Sequence, residues 1–296
     1  MRVLCFDVGC TDIKYGVIED GKILIKNKVP NNLELGLANF KENLTIITDL
    51  LKSTMGVEYV GVSCAGSIDL ETGEIIVSPD HAKFLLHFNF KKFFKDGFNL
   101  DCYADNDVNC FGIAESIAGN GQKYNHFLMM TVGTGIGGSI IMDKKTWRGP
   151  NYNAGEFGRM IMQNGVKYED LAATSKLVEA VKKLGYDVKD GVDVFKLYDS
   201  KELKDPRIQT TVKNFYDYLA IGVANLVYSF NPQSIIIGGG ITNRDQFIDE
   251  LKEELVKILH SSFYETVQIE RSYFKNDGGM MGAYYLVLQN VGEANE

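Results

Sequence analysis

Long apolar runs are missing from this chain. None reaches the roughly 18–20 continuous residues that a membrane span requires, and the longest, Leu219 to Phe230, reads as a buried helix. A secretory pattern is missing too, because Asp7 interrupts the first apolar run. An excess of basic residues is also absent: the formal net charge is −8. That excludes a general nucleic-acid binder, which needs a basic surface to neutralise phosphates. It leaves room for an enzyme of anionic nucleotides, held by a few local donors and a metal ion. Cysteines are few and confined to the first 110 residues, as Cys5, Cys10, Cys64, Cys102 and Cys110, with no closely spaced pair. They read as reduced, mostly buried thiols of a cytoplasmic protein and not as a disulfide framework.

What is present is the balance of an ordinary globular protein, 45% apolar and 24% charged over 296 residues, enough for two modest domains. Short apolar runs at Arg2–Val8, Ile13–Glu19 and Lys22–Val29 predict three strands, with Asp20-Gly21 as a hairpin signal. The spacing of Leu44, Ile47, Leu50 and Leu51 predicts a helix over 40–54. Further strands are expected at 59–63 and up to Asp105, with a helix over 108–118. The pattern then restarts: strand 127–132, a glycine-rich turn, and a returning strand 139–142. Helices are expected over 169–183, 209–230, 245–259 and 280–288, with strands at 234–237 and 267–273. Strands interleaved with helices imply α/β layers. The expected domains are a small N-terminal lobe over 1–115, to which the C-terminal helix 280–290 may be an addition, and a larger lobe over 116–296. Two similar halves place the expected ligand site in the cleft between them.

Two strand-turn-strand loops, one per half, carry phosphate-binding chemistry. In the first, Gly9 permits a tight hairpin whose N–H groups can face an anion, Thr11 adds a hydroxyl, and Lys14 adds charge. Asp7 is placed to orient a hydrated magnesium ion. A plain hairpin built from Asp and Gly turn formers explains this loop equally well. The second loop has four glycines in six positions, Gly133, Gly135, Gly137 and Gly138, around Thr134. It is not a Walker loop, since no Gly-Lys-Ser/Thr follows, and it lacks the helix expected after a Rossmann turn. A third run, Gly238-Gly239-Gly240, could lie against a nucleotide base or ribose, or be a simple strand-to-helix turn.

The order of these motifs resembles the ROK family of sugar kinases and repressors along essentially the whole chain. The match runs through Asp7 to Lys14, Cys64-Ala-Gly66-Ser-Ile-Asp69 and Ala104-Asp-Asn-Asp107-Val-Asn109. It continues through Gly133–Gly138, Gly155-Glu-Phe-Gly158 and Ile237–Gly240. The resemblance implies a two-lobed actin/hexokinase-like (ribonuclease H-like) fold, ATP with magnesium, phosphorylation of a hexose hydroxyl, usually at C6, and a homodimer. It implies Asp107 as the catalytic base and Asn106, Gly66, Glu156 and Glu169 as sugar contacts. The phosphate set becomes Asp7, Gly9, Cys10, Thr11, Lys14, Gly133, Thr134, Gly135, Gly137, Gly138, Gly239 and Gly240.

Three departures stand out. Where many relatives bind a structural zinc through one histidine and three cysteines, this chain has Arg159, and no cysteine follows Cys110. A tetrahedral N/S site is therefore not expected there, and Arg159 is expected to pair with Glu169 or touch the sugar. Cys10 replaces a common glycine, with oxidation sensitivity as an expectation. Cys64-Ala65-Gly66 lacks the frequent proline before glycine. The first loop starting at Asp7 leaves no room for a preceding helix-turn-helix, so a kinase is expected over a repressor. N-acetylmannosamine is the expected substrate, with glucose or a β-glucoside as alternatives, and a non-catalytic sugar sensor as a further one.

Overall fold

The computed structural model describes residues 1–203 and 205–293, excepting the side chains of His81 and Glu293. The chain divides into two compact units. One comprises Met1–Ala118, Arg148–Ala154 and Asp277–Glu296; the other comprises Gly119–Trp147 and Gly155–Asn276. Each is an α/β unit built on a five-stranded mixed sheet.

In the first unit, β1 (Arg2–Val8), β2 (Asp12–Glu19) and β3 (Lys22–Pro30) form the expected antiparallel meander. Helix α1 (Gly36–Met55) buries Phe40, Leu44, Ile47 and Leu51; of the four residues whose spacing predicted it, Leu50 faces solvent. It is followed by β4 (Tyr59–Cys64), a ribbon of β5 (Ser67–Ile68) and β6 (Ile75–Val77), α2 (Phe90–Phe98), β7 (Asp101–Asn106) and α3 (Asp107–Ala118). The sheet order is β3-β2-β1-β4-β7, with β4 and β7 parallel to β1. Helix α2 lies outside the elements expected from the sequence. Its Phe90, Phe94 and Phe98 are buried, and Phe94 stacks on Phe6 of β1 at 5.8 Å between ring centroids.

The second unit repeats the plan. Its strands are β8 (Phe127–Val132), β9 (Ile136–Met142), β10 (Lys145–Trp147), β11 (Ser234–Gly238) and β12 (Gln268–Arg271). Their order, β10-β9-β8-β11-β12, is that of the first sheet, meander and parallel pair included. Its helices are α4 (Tyr168–Ala172), α5 (Thr174–Lys183), α6 (Gly191–Tyr198), α7 (Pro206–Phe230), α8 (Phe247–Ile258) and α9 (Ser261–Tyr264). The single helix expected over 169–183 is two helices broken at Ala173, whose backbone is extended. Among the described residues no helix is long and apolar enough to cross a membrane.

The terminal helix (Gly278–Glu293) packs on the first sheet and on α3. The approach is backbone to backbone: a Cβ at Gly282 would lie 1.7 Å from the carbonyl oxygen of Cys110. No rotamer change relieves such a clash. Gly282→Ala is therefore expected to destabilise the protein by about 1–3 kcal/mol or more, read as a lowered urea midpoint. A midpoint within error of wild type would contradict this packing.

Candidate functional site

The first unit gathers its polar residues where β1, β4 and β7 end. Register puts Lys14 opposite Asp7, Asp7 beside Ser63, and Ser63 beside Asp105, one row across four strands. Lys14 Nζ lies 3.1 Å from an Asp7 carboxylate oxygen, and Ser63 Oγ donates to the other at 2.9 Å. The start of the terminal helix closes over them, since a Cβ at Gly279 would meet Asp7 Oδ1 at 2.4 Å. A carboxylate facing a helix N-terminus gains from its partial positive charge.

The first loop is pinned by residues outside the expected set. Gly9 N–H donates to Asp12 O at 3.0 Å, and Asn31 N–H to Thr11 O at 2.8 Å. Buried Asn31 also donates its Nδ2 to Gly9 O at 2.6 Å. Cys10 is exposed, but partial burial and then the negative charge of Asp107 push its thiol above the usual range. Both effects disfavour the thiolate, so they work against the oxidation sensitivity expected for this position.

Asp107 is the first residue of α3, and its Oδ1 accepts from Val108 N–H at 3.0 Å. Asn106 acts as the helix cap: its Oδ1 accepts from the N–H groups of Val108 and Asn109 at 2.9 and 3.1 Å. The same side chain donates Nδ2 to Gly66 O at 3.0 Å. Gly66 has φ +106°, and a Cβ there would meet Val77 O at 2.3 Å, so only glycine serves the turn that brings it to Asn106. Three participants, Asp105, Arg148 and Asn153, had no role assigned from the sequence. Asp105, 1% exposed, is paired with Arg148 at 2.6 Å, and Asn153 accepts from Ser67 Oγ at 2.6 Å.

In the second unit the expected glycines separate into two kinds. Gly133 and Gly240 have open space where a side chain would be, and with Thr134 they line a cavity of about 1130 Å³. Gly138 and Gly239 are needed for packing, whereas Gly135 faces only the end of the Glu169 side chain. A Cβ on Gly138 would strike the Phe157 ring at 2.1 Å and Gly155 O at 2.5 Å, so the two glycine motifs lie against each other. Gly239, at φ +100°, is held against Val132 O. Gly137 sits within β9, opposite Thr131. The loop is fastened to the start of α5 by Ser175, whose N–H donates to Gly133 O at 3.2 Å and whose Oγ donates to Thr134 O at 2.6 Å. That contact is why the chain breaks at Ala173.

The cavity wall also holds Arg244, which the sequence did not single out. It donates to both carboxylate oxygens of Glu250, at 3.0 and 2.6 Å, bonds Asp199, and stacks over Phe195 at 4.6 Å. Hydrogen bonds to Glu250 first, and then to Asp199, hold its guanidinium further above its usual high value.

Arg159, expected to pair with Glu169 or to touch the sugar, bonds Glu156 and not Glu169. Arg159 Nε pairs with Glu156 at 2.9 Å, its neighbour in a 3-10 turn. The Glu169 carboxylate lies instead at the second loop, where a Cβ on Gly135 or Gly158 would meet its Oε2 at 2.8 or 2.9 Å. The expected Arg159–Glu169 clamp is thus replaced by a local pair, because three-residue spacing in the turn already supplies a carboxylate. Among the described residues no three His, Cys, Asp or Glu side chains gather as a metal cluster would. His87, His126 and His260 have local partners in Glu74, Asp143 and Ser262, and the His81 side chain lies outside the described residues.

Paired mixed sheets of one strand order, each with a glycine loop, are the two-lobed α/β plan of the actin/hexokinase-like fold. The chain belongs to the ROK family, whose model matches residues 3–290, and it is an ATP-dependent sugar kinase of that family. It is 33% identical over 300 residues to a β-glucoside kinase of Listeria innocua, covering 98% of each chain. Among solved structures it resembles a candidate N-acetylmannosamine kinase from Listeria monocytogenes, with TM-score 0.86, 29% identity, and 98% and 100% of the two chains covered. A ROK hexokinase from Thermus thermophilus gives TM-score 0.81 at 26% identity, over 99% and 100%.

Arg159 and Glu156 are 57% and 43% exposed at their side chains. Such a pair contributes about 0–1 kcal/mol. Arg159→Ala is accordingly expected to leave the urea midpoint nearly unchanged; a loss as large as that expected for Gly282→Ala would show that the pair holds the turn.

Proposed function

We propose that the protein transfers the γ-phosphoryl group of ATP to the C6 hydroxyl of a glucosyl acceptor, with a β-glucoside as first substrate and Asp107 as base. The observation that carries the substrate is the identity with the β-glucoside kinase, one third of residues over almost the whole of both chains. The likeness to the candidate N-acetylmannosamine kinase is lower in identity and supports that sugar as a second reading.

In this reaction the acceptor oxygen forms a bond to the γ-phosphorus, the bond to the β-phosphate oxygen breaks, and ADP leaves. The hydroxyl proton passes to the Asp107 carboxylate. Positioning and charge stabilisation dominate such transfers, and the capped start of α3 supports Asp107 in the aiming role. Asn106 can donate its second Nδ2 hydrogen to a ring hydroxyl, while the Gly66 backbone, Glu156 and Glu169 supply acceptors, and carboxylates suit this because each takes two donors. Arg159, bonded to Glu156 at 2.9 Å, orients that carboxylate for the same sugar.

The nucleotide belongs in the cavity beside Gly133, Thr134 and Gly240, where the bare backbone of Gly133 and Gly240 lets a ligand approach closely. Cys10, Thr11 and Lys14 supply further donors for its phosphates, on a turn that Gly9 closes through its bond to Asp12 O. Magnesium arriving on a nucleotide needs only one or two protein carboxylates beside water. Asp7, backed by Ser63 and Lys14, fits that requirement, and the ion would screen charge on the phosphate oxygens.

An ADP-release assay with MgATP over methyl β-glucoside, glucose, N-acetylmannosamine and N-acetylglucosamine tests the reading. The β-glucoside or glucose is expected to exceed N-acetylmannosamine in kcat/KM by about tenfold or more; the reverse order would establish the second reading. Asp107→Asn is expected to lower kcat by about 10²–10⁴-fold, and undiminished turnover would refute the base.

A further inference from the structure

We propose that the Asp105–Arg148 ion pair is a positioning device for the transfer step, holding Asp107 where its carboxylate can take the acceptor proton. This rests on the reading of Asp107 as base. Arg148 Nε and Nη2 both donate to Asp105 Oδ2, at 2.8 and 2.6 Å. Asp105 Oδ1 accepts from Asn106 N–H at 2.7 Å and from Asn109 Nδ2 at 3.1 Å. The carboxylate is 2% exposed and the arginine side chain 18%, so solvent screens the pair weakly. Burying a carboxylate this far costs free energy unless its charge and lone pairs are matched.

The placement of these bonds points to function as well as to stability. Asp107 lies between the two residues that Asp105 holds, Asn106 before it and Asn109 after it. Asn106 passes the constraint on, capping α3 with its Oδ1 and reaching Gly66 O with its Nδ2. Arg148 opens the segment Arg148–Ala154, whose Asn153 is bonded to Ser67, next to Gly66. One short segment therefore fastens both the helix start that carries the base and the turn proposed to carry the sugar. An arginine suits the task because its planar fork offers two donors in fixed directions, whereas a lysine offers a single ammonium centre.

The test compares wild type with Arg148→Lys, Arg148→Met and the neutral pair Asp105→Asn/Arg148→Met, with the best of the four panel sugars as acceptor. Because displacement of a reacting group by about 1 Å can lower the rate about 10²-fold, Arg148→Met is expected to lose kcat on that order. Its KM for ATP should stay within about twofold of wild type, because the pair acts through Asn106 and Asn109, which flank the base and are not proposed to hold the nucleotide. Arg148→Lys, less prone to misfold, should fall between. The neutral pair removes the unmatched buried charge, so it should regain thermal stability without regaining kcat. In an Asp107→Asn background, Arg148→Met should lower the residual rate by less than about threefold, since residues acting as a unit are not additive. Recovery of kcat together with stability in the neutral pair would overturn the proposal. So would the full hundredfold loss reappearing without Asp107. Undiminished turnover in Asp107→Asn alone would remove the base and this proposal with it, and that failure shows in the single variant before Arg148 is changed.

Discussion

The register of the first sheet is the constraint on which the site depends. Because β1 runs parallel to β4 and β4 to β7, and β2 folds back on β1, Lys14, Asp7, Ser63 and Asp105 fall in one row. A slip by one residue in any strand would turn its member of that row to the other face of the sheet. The next residues along β4 and β7, Cys64 and Asn106, are likewise neighbours, and from there the chain enters the Gly66 turn on one strand and α3 on the other. Position in the sheet, and not any one motif, brings the phosphate loop, the sugar turn and the base to the same edge.

The second unit uses the same strand order for a different end. Its glycines are divided between bare backbone facing a cavity and close packing behind it. Gly138 against Gly155 and Phe157 explains why two glycine motifs far apart in the chain occur together: each makes room for the other. Ser175 then draws α5 against the loop, aligning a helix start with the cavity. The rigid arginine at Arg244, held by Glu250, Asp199 and Phe195, completes the wall with a charge whose orientation is fixed by packing.

Much of this was legible in the residues. Alternating and continuous apolar runs marked the strands, and their recurrence marked the duplication. Asp7, Gly66, Asn106 and Asp107 stood in motifs whose order resembles the family. What was hidden depended on contacts between distant parts of the chain. Nothing in Asp105-Asn106-Asp107 distinguishes the buried carboxylate from the one at the helix start; only the arrival of Arg148, forty-three residues later, does so. The break at Ala173 has no proline or glycine to announce it, because it comes from Ser175 docking on Gly133. The pairing of Arg159 followed the nearer carboxylate, Glu156, where expectation had reached for Glu169.

The central claim is that Asp107 performs chemistry on an acceptor that other groups hold in place. Isothermal titration of the Asp107→Asn variant with the preferred sugar tests it most directly. The expected result is a dissociation constant within a few-fold of wild type in a protein that has lost turnover, since asparagine retains hydrogen bonding but cannot accept the proton. Loss of sugar binding in step with turnover would contradict it, and would make Asp107 a binding residue with the base still to be found.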